Sequence, residues 1–188
     1  MPILPAERTL FPEGLLSEST LPKLSDRTWW VLHVKPRQEK SLARQLCGKE
    51  IPYYLPVVTR RTVVRGQALQ SLIPLFPGYV FLLGDREEWL RALATGRVVR
   101  PLAVVDQTRI WTDLRQLYRL IEIGAPITPE DRLAPGAMVE VTQGPLAGLR
   151  GKILRTATGK RFVVEIDFIQ RGASVLLDSF ALVQVSED

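Results

Sequence analysis

The side chains that most often do chemistry in proteins are sparse in this sequence. It has one histidine, His33, and one cysteine, Cys47. It therefore offers no disulfide framework, and no cysteines and histidines have the spacing of a zinc site. His33 has no nucleophile or ligand set beside it, and the chain has no phosphate-binding loop or recognisable pair of carboxylates. The sequence predicts a protein that is not an enzyme and that holds no metal or cofactor.

Positive charge is a stronger chemical signal, and it is concentrated in one region. The net charge of the chain is +5. Residues 27–66 hold nine Lys or Arg against Glu39 and Glu50, a local balance of +7. The nine are Arg27, Lys35, Arg37, Lys40, Arg44, Lys49, Arg60, Arg61 and Arg65. Such a region attracts polyanions, nucleic acid above all, although surface Lys and Arg also arise from solubility alone.

The basic region lies on the elements of an α+β domain. Residues 29–34 are aromatic and β-branched, which is typical of a strand, and Pro36 predicts the start of a helix that runs to Lys49. One side of that helix is apolar, so its basic side is expected to face outward. Further elements are predicted as strand material at 53–64, a hairpin return arm at 68–73, a strand at 79–83, a helix at 87–95, a strand at 98–105 and a helix around 114–121. This order predicts helices packed over an antiparallel sheet.

The first 26 residues have a different composition. Four prolines interrupt them, and they lack both the basic start and the apolar core of a signal peptide. No later segment approaches the length that spans a membrane. We expect a flexible N-terminal extension at residues 1–26 and a cytoplasmic protein without membrane association, a compartment that also suits a single unpaired cysteine.

A second composition change follows Ile123. Glycine, proline and charged residues predict a linker at residues 124–133. Beyond it, short alternating segments are predicted as strands at 138–142, 151–155, 162–168, 174–177 and 181–185. Five short strands in about 50 residues indicate a small closed or nearly closed barrel at 134–188. Glycines at 144, 148, 151 and 172 would each cost a helix about 1 kcal/mol relative to alanine, which favours strands over helix here.

The segment PLFPGYVF, residues 74–81, is an apolar and aromatic run inside a basic chain. On a strand, Tyr79 and Phe81 share one face while Val80 and Leu82 share the other. A strand buried on both faces explains the pattern, and the pattern alone favours that account. A strand that packs one face on helices and offers the other to a partner is the second account.

Two motifs and their order resemble a known family. PGAMVEVTQGPLAGLRGKI, residues 135–153, resembles a KOW motif, in which glycines shape the turn after the first strand. An α+β domain that contains PLFPGYVF, then a linker, then a C-terminal KOW domain is similar to the layout of the NusG-like transcription elongation and antitermination factors. The resemblance spans about residues 28–185. Within the family, KPRQEK (35–40) and VVRGQ (63–67) resemble specialised paralogues of the RfaH and UpxY kind.

The resemblance implies a fold, a function and partners. It implies a NusG N-terminal domain at 27–123 and an SH3-like KOW β-barrel at 134–188. Such a factor is expected to dock as a monomer on the clamp helices of bacterial RNA polymerase, to suppress pausing or termination, and to contact DNA of the transcription bubble. Its KOW domain is expected to recruit a small-subunit ribosomal protein or Rho. The alternative is a ribosome-associated or general RNA-binding KOW protein, since KOW motifs occur in ribosomal proteins and the charge suits RNA.

The resemblance also implies site residues. For polymerase binding these are His33, Phe76, Tyr79 and Phe81. For nucleic-acid binding they are Lys35, Arg37, Gln38, Lys40 and Arg97, although a solvated helix face explains any one of them equally well. For partner binding by the KOW domain they are Ile169 and Arg171, although Ile169 also suits a barrel core. RfaH has a polar His-Thr-Thr-Thr run that touches the polymerase gate loop; residues 88–91 stand there instead, so that second contact is not carried over.

Overall fold

The chain folds into two units, Met1–Gln107 and Thr108–Asp188. The computed structural model describes residues 8–17, 27–64, 66–124, 126–130, 136–156, 159–176 and 182–184. None of the helices in these ranges is long and apolar enough to cross a membrane.

The first unit is built on a five-stranded antiparallel sheet. Its strands are β1 (Leu10–Phe11), β2 (Thr28–Val34), β3 (Tyr53–Tyr54), β6 (Tyr79–Gly84) and β7 (Val98–Ala103). They lie in the order β1-β3-β6-β2-β7, so β6 and β2 occupy the middle. Two helices, α1 (Glu39–Gly48) and α2 (Arg86–Leu93), belong to this unit, together with a separate two-stranded ribbon of β4 (Val57–Val64) and β5 (Gln67–Pro74).

The core of the first unit lies between α1 and the sheet. The apolar side of α1, which carries Leu42, Ala43 and Leu46, is fully buried. It packs in one cluster with alternate residues of the two central strands, Leu32 and Val34 on β2 and Val80 and Leu82 on β6. The apolar side of the helix therefore packs on the apolar face of the two strands, as expected for a helix on an antiparallel sheet.

Helix α1 begins three residues later than Pro36 predicts. Arg37 has a φ of +62°, in the left-handed region, so the backbone at this position is not helical. The N–H of Gln38 donates to the carbonyl oxygen of Lys35, which closes a turn, and the first helical residue is Glu39. Pro36 thus belongs to the β2–α1 turn and does not open the helix.

Part of the N-terminal extension is structured. In the antiparallel β1–β3 pair, Leu10 lies opposite Tyr54 and Phe11 opposite Tyr53. The Tyr53 hydroxyl donates to the carbonyl oxygen of Arg8 at 2.7 Å. Residues 8–17, expected to be flexible, therefore add an edge strand to the sheet. Two apolar residues before Pro12 gave no periodicity from which β1 could be predicted.

The β4–β5 ribbon projects from the rest of the unit. Its residues pair in register from Val57 with Pro74 to Val64 with Gln67. Every described side chain from Thr59 to Val63 and from Gly66 to Leu72 is exposed, so neither face of this part packs on a core. The sequence predicts this hairpin correctly. Its two strands are joined by a turn at Gly66, whose φ is +79°.

The second unit combines one helix with a six-stranded antiparallel sheet. Its elements are α3 (Gln107–Glu122, entered from the last residue of the first unit), β8 (Thr128–Glu130), β9 (Ala137–Val141), β10 (Arg150–Thr156), β11 (Gly159–Ile166), β12 (Arg171–Leu176) and β13 (Leu182–Gln184). The sheet order is β13-β9-β10-β11-β12-β8. The predicted α+β class is confirmed, and the C-terminal region is β-rich, as a KOW domain requires.

Two features of this sheet have clear local causes. A Cβ on Gly151 would lie 2.3 Å from the Val163 carbonyl oxygen, so only glycine fits where β10 runs beside β11. Strand β11 ends at Ile166 because residues 167–169 form a 3₁₀ turn. Phe168, expected to continue the strand, is therefore in the turn and is 37% exposed.

The units do not divide where the composition changes. Helix α3, which the sequence assigns to the domain at 27–123, is grouped with the second unit. Three residues of the predicted linker form β8, which pairs with β12 from Gly172 opposite Glu130 to Ser174 opposite Thr128. The KOW domain boundary at 134 stays a prediction, as does the start of the linker at 124.

Candidate functional site

The turn before β6 is fixed by three neighbours. The N–H of Gly78 donates to Oε1 of Glu39 at 2.8 Å, and its carbonyl oxygen accepts from the N–H of Val34 at 2.8 Å. Its φ is +87°, and a Cβ there would lie 3.6 Å from the His33 ring. The left-handed φ favours glycine in this turn, and a Cβ would make only an ordinary contact with the ring. Glu39, only 5% exposed, positions this turn. The sequence gave no specific signal for this role, because an acidic residue in a basic helix can have many roles.

Two of the four predicted polymerase-binding residues reach the surface. His33 and Tyr79 are directly opposite each other on β2 and β6, with ring centroids 5.6 Å apart, and both are half-buried. Phe76 and Phe81 are buried, at 1% and 0% exposure. The structure thus brings the first pair together at the surface and holds the other two inside. The docking role of all four stays a prediction.

Phe81 lies in a row of side chains that crosses the whole sheet. It is opposite Tyr54 on β3 and Val31 on β2, and the row continues to Leu10 on β1 and Leu102 on β7. The Tyr54 and Phe81 rings are 6.5 Å apart. Both faces of β6 are buried from Val80 onward, and Tyr79 is half-buried. This strand is therefore buried on both faces except at Tyr79.

A groove of about 590 Å³ opens beside the exposed ring pair. Its walls come from the β2–α1 turn, the turn at Gly78 and the base of the ribbon, where Leu72 and Ile73 supply apolar surface. Arg37, Lys40 and His33 line it as well. Aromatic, aliphatic and cationic groups therefore share one concave surface.

The predicted nucleic-acid residues differ in how freely they face solvent. Lys35 and Arg37 are exposed, whereas Gln38 and Lys40 are half-buried. Arg37 holds the left-handed conformation described above, which is uncommon outside glycine, asparagine and aspartate. Such strained positions cluster at functional sites, because the surrounding structure must hold them there.

Arg97 makes hydrogen bonds within the first unit. Its Nε donates to Oγ of Ser41 at 2.8 Å and its Nη1 to the carbonyl oxygen of Thr95 at 3.1 Å. Its own carbonyl oxygen accepts from the N–H of Lys35. Arg97 therefore ties α1 to the α2–β7 turn beside the basic segment, and its predicted nucleic-acid contact stays a prediction.

Residues 88, 89 and 91 make contacts within the first unit. Glu88 closes a capping box with Asp85 and makes a two-bond ion pair with Arg27, at 2.7 Å and 3.0 Å. The Trp89 ring stacks on Trp30, with centroids 5.3 Å apart. Nη2 of Arg91 donates to the carbonyl oxygen of Lys49. The run holds α2 to the sheet.

The predicted partner-binding residues of the second unit flank a tight turn. Ile169 and Arg171 are both half-buried, and Gln170 between them has a φ of +53°. The Gln170 side chain donates to the carbonyl oxygen of Asp167 at 2.7 Å and to its Oδ1 at 3.0 Å. Phe168 is the most exposed large apolar side chain of this turn, and sequence reasoning missed it because it was assigned to β11.

A buried carboxyl group lies next to that turn. Oδ2 of Asp113, on α3, accepts from the N–H of Asp167 at 3.2 Å. The pKa of Asp113 is raised to about 7, chiefly by burial and to a smaller extent by the carboxylates of Asp167 and Glu165, against the lowering effects of the Asp167 N–H and the Arg109 guanidinium. Asp113 was not singled out in the sequence, since a lone aspartate on a helix carries no signal.

Within the described ranges, no group of three or more His, Cys, Asp or Glu residues is placed to hold a metal ion. The chemistry that the surface supports is contact: ring packing at His33 and Tyr79, apolar packing in the groove, and charge from Arg37 and Lys40.

Comparison with known proteins gives a family match that covers most of the first unit and continues into α3. Residues 27–119 match the family model described as transcription termination factor NusG. Among solved structures, a chain from the crystal structure of the MjSpt4:Spt5 complex in conformation B is 15% identical, over 85% of this chain and 99% of that chain, with a TM-score of 0.24. At that TM-score the likeness supports no conclusion about shape or function.

Proposed function

Residues 27–119 make this chain a member of the NusG family, and from that membership we propose that it is an elongation and antitermination factor that docks on the clamp helices of bacterial RNA polymerase. The family is one of transcription factors without enzymatic activity. The proposal therefore concerns binding, and its effect on transcription follows from which state of the polymerase is bound.

The observation that carries the proposal is the half-exposed pair of His33 and Tyr79 at the edge of the groove. Aromatic side chains that a partner can cover are frequent anchors of protein interfaces. The pair is held rigidly, because the turn at Gly78 is bonded to both Glu39 and Val34. Little conformational entropy is then lost when a partner covers the rings.

The proposed effect on elongation is a population shift. A domain that binds the closed clamp more tightly than the open clamp favours the closed state by the ratio of the two affinities. A closed clamp holds the nucleic acids more firmly, so pausing and termination decrease.

Nucleic-acid contact is proposed for the basic side of the groove. Lys35 and Arg37 are exposed, and Gln38 and Lys40 lie beside them. Phosphate contacts from Lys and Arg position a protein on nucleic acid without reading its sequence. Arg97 contributes to this surface by fixing the segment at Lys35. The ligand in this proposal is DNA of the transcription bubble.

The second unit is proposed to recruit further partners. Ile169 and Arg171 flank a turn whose shape is fixed by Gln170, and the neighbouring Phe168 is exposed. A small-subunit ribosomal protein or Rho is the proposed partner. The segments 35–40 and 63–67 support a specialised paralogue of the RfaH and UpxY kind, which acts in the cytoplasm on particular operons.

The test is a comparison of surface and buried positions. Tyr79→Ala is expected to weaken binding to core RNA polymerase by about 2 kcal/mol, or roughly thirtyfold, with only a modest loss of stability. The control Leu69→Ala removes an exposed apolar side chain of the ribbon and should leave binding unchanged. Phe81→Ser should instead lower the free energy of unfolding by about 3 kcal/mol, because it opens the centre of the sheet. A folded Tyr79→Ala protein that binds polymerase normally would rule the docking surface out.

A ribosome-associated or general RNA-binding protein is the second candidate, favoured by the basic region alone. The same titrations with ribosomal subunits separate the two. Binding to subunits that is tighter than binding to polymerase, and insensitive to Tyr79→Ala, would favour the second candidate.

A further inference from the structure

The β4–β5 ribbon carries basic side chains and no acidic one. Residues 57–74 hold three arginines and no Asp or Glu, a balance of +3. Arg60 and Arg61 are exposed, and within the described part of the chain no hydrogen bond or ion pair involves either guanidinium group. Their charges are therefore not compensated nearby, and a projecting arm of this kind attracts a polyanion.

The strand register divides the ribbon into two faces with different side chains. Arg61 lies directly opposite Gln70, whereas Arg60 lies opposite Ser71. Because side chains alternate along a strand, the two arginines project from opposite faces. We call the side that carries Arg61 the Arg61 face; its exposed members are Thr59, Arg61, Val63, Ala68, Gln70 and Leu72.

The Arg61 face leads into the basic side of the groove. Leu72 belongs to this face and also lines the groove, together with Arg37 and Lys40. A polyanion that lies along the Arg61 face would therefore meet further cations at the base of the ribbon. Val63, also on this face, is 72% exposed, so no described part of the chain covers it.

The shape of the ribbon favours duplex DNA over other polyanions. Its two strands, about 4.8 Å apart, have exposed side chains on both faces, so the ribbon can enter a groove that encloses it. The major groove of B-form DNA, about 12 Å wide, admits a two-stranded ribbon. The major groove of A-form RNA is too deep and narrow for side chains to read. The paired register also holds the side chains at set spacings, which a loose basic tail cannot do.

The side chains of the Arg61 face suit the edges of bases. An arginine donates two bonds to O6 and N7 of guanine, and a glutamine pairs with N6 and N7 of adenine. Arg61 and Gln70 are a directly opposed pair, with Cβ atoms about 5 Å apart, which suits neighbouring base pairs. Val63 and Ala68 offer apolar contact to the methyl group of thymine. Lysine, which binds phosphate as a point charge, does not occur in residues 57–74.

We propose that the β4–β5 ribbon binds in the major groove of duplex DNA with its Arg61 face toward the base pairs, where Arg61 and Gln70 read neighbouring pairs. Arg60, on the opposite face, points out of the groove. This contact differs from the bubble contact proposed for residues 35–40, because it needs paired DNA and the edges of its bases. It stands without polymerase docking, since only the ribbon and the duplex take part.

A selection with the full-length protein and without polymerase tests the proposal. From a pool of random duplexes of about 20 base pairs, or two helical turns, the protein should enrich a short preferred sequence. Arg61→Ala should bind the enriched duplex about tenfold more weakly and lose the preference, because one bidentate base contact is gone. The matched control Arg60→Ala removes the same charge from the other face, so it should keep the preference and lose less than about threefold in affinity. Equal losses in the two variants, or a pool without any preference, would overturn the proposal.

Hydrogen exchange locates the duplex on the protein. The enriched duplex should slow exchange of the ribbon amides by about tenfold or more, and unchanged exchange with the duplex bound would place the DNA elsewhere and refute the ribbon contact. An RNA duplex of the same sequence should bind more weakly, and tighter binding of the RNA would also count against the proposal. Tyr79→Ala, which tests polymerase docking, should bind the DNA duplex normally, so failure of one proposal is distinguished from failure of the other.

Discussion

At the scale of single residues, Arg37 combines an unfavourable backbone conformation with a place at the groove. A left-handed conformation costs a residue with a side chain about 1–2 kcal/mol relative to a helical one. Glycine would adopt it freely, although its greater freedom in the unfolded chain offsets part of the gain. The retention of arginine at this position is explained if the guanidinium is needed where it stands.

Arg37→Gly is therefore expected to separate stability from binding. The free energy of unfolding should not fall and should rise by up to about 1 kcal/mol. Affinity for a forked DNA that mimics the transcription bubble should fall, most clearly at low salt, because a phosphate contact is lost. Denaturant titration and fluorescence anisotropy measure the two effects.

Glu50 provides the matched control for this substitution. It has a similar φ, +56°, but it follows α1 at the end away from the groove. Glu50→Gly should relieve the same backbone cost and leave DNA affinity undiminished. Equal losses of DNA affinity in both variants would show that Arg37 makes no specific contact.

Residue-level prediction from the sequence succeeded where a side chain acts alone and failed where tertiary contacts decide. The pairing of His33 with Tyr79 was within reach, because both belong to recognisable strands. The burial of Phe81 was also within reach, because the apolar pattern favoured a strand buried on both faces, whereas the family resemblance assigned Phe81 to the docking surface. The bonds of Arg97 to Ser41 and Thr95 depend on how α1 and α2 approach each other, which no local pattern encodes.

At the scale of elements, the β4–β5 ribbon differs from every strand of the central sheet. It has its own ladder and no buried side chain among its described residues, although Val57, Val58, Ile73 and Pro74 at its base are half-buried. Isolated two-stranded ribbons are marginally stable in water. Its Arg60 and Arg61 project to opposite faces and are both exposed, so neither adds a buried contact.

The ribbon is expected to open locally far more often than the sheet. Amides from Thr59 to Leu72 should exchange hydrogen within seconds to minutes, while those of β2 and β6 should exchange only when the unit unfolds. Hydrogen exchange followed by mass spectrometry resolves the two regions in one experiment. Protection of the ribbon equal to that of β6 would mean that something in solution covers it.

Element boundaries show what periodicity can and cannot supply. The order of strands and helices from Thr28 to Glu122 was predicted except that the strand material at 53–64 divides into β3 and β4. The longer elements were predictable because they span enough residues to repeat their pattern. β1 and β8 were missed, since two or three residues beside prolines show no period. The late start of α1 was missed because Pro36 fits the first turn of a helix and the turn before it equally well.

At the scale of the whole molecule, the division after Gln107 assigns α3 and β8 to the C-terminal unit. Both precede the segment 131–135 in the chain. A break in that segment would leave α3 and β8 covalently attached to the first unit while their hydrogen-bonding partners lie on the other fragment.

Cleavage at a protease site inserted within residues 131–135 is therefore expected to leave the two fragments associated. The β8–β12 ladder should hold them together through gel filtration. The hydrogen bonds from α3 to the C-terminal fragment, which Asp113, Gln116 and Arg119 make with the backbone of Asp167, Arg150 and Ala147, should do the same. Separation into two independent fragments without denaturant would contradict the assignment of α3 to the second unit. Cleavage after an Asp113→Ala and Arg119→Ala double substitution should release them more readily.

The N-terminal strand β1 has a consequence for how the protein behaves in concentrated solution. It covers the outer edge of β3, and it lies before the segment that matches the family model. A version trimmed to residues 27–119 would present the backbone of Tyr53 and Tyr54 uncovered and without a charged side chain between them. Unprotected edges of this kind pair with a second copy. β1 is a two-residue edge strand followed by Pro12, both of which discourage edge pairing, so we expect the shortened protein to self-associate at lower concentrations than the longer one.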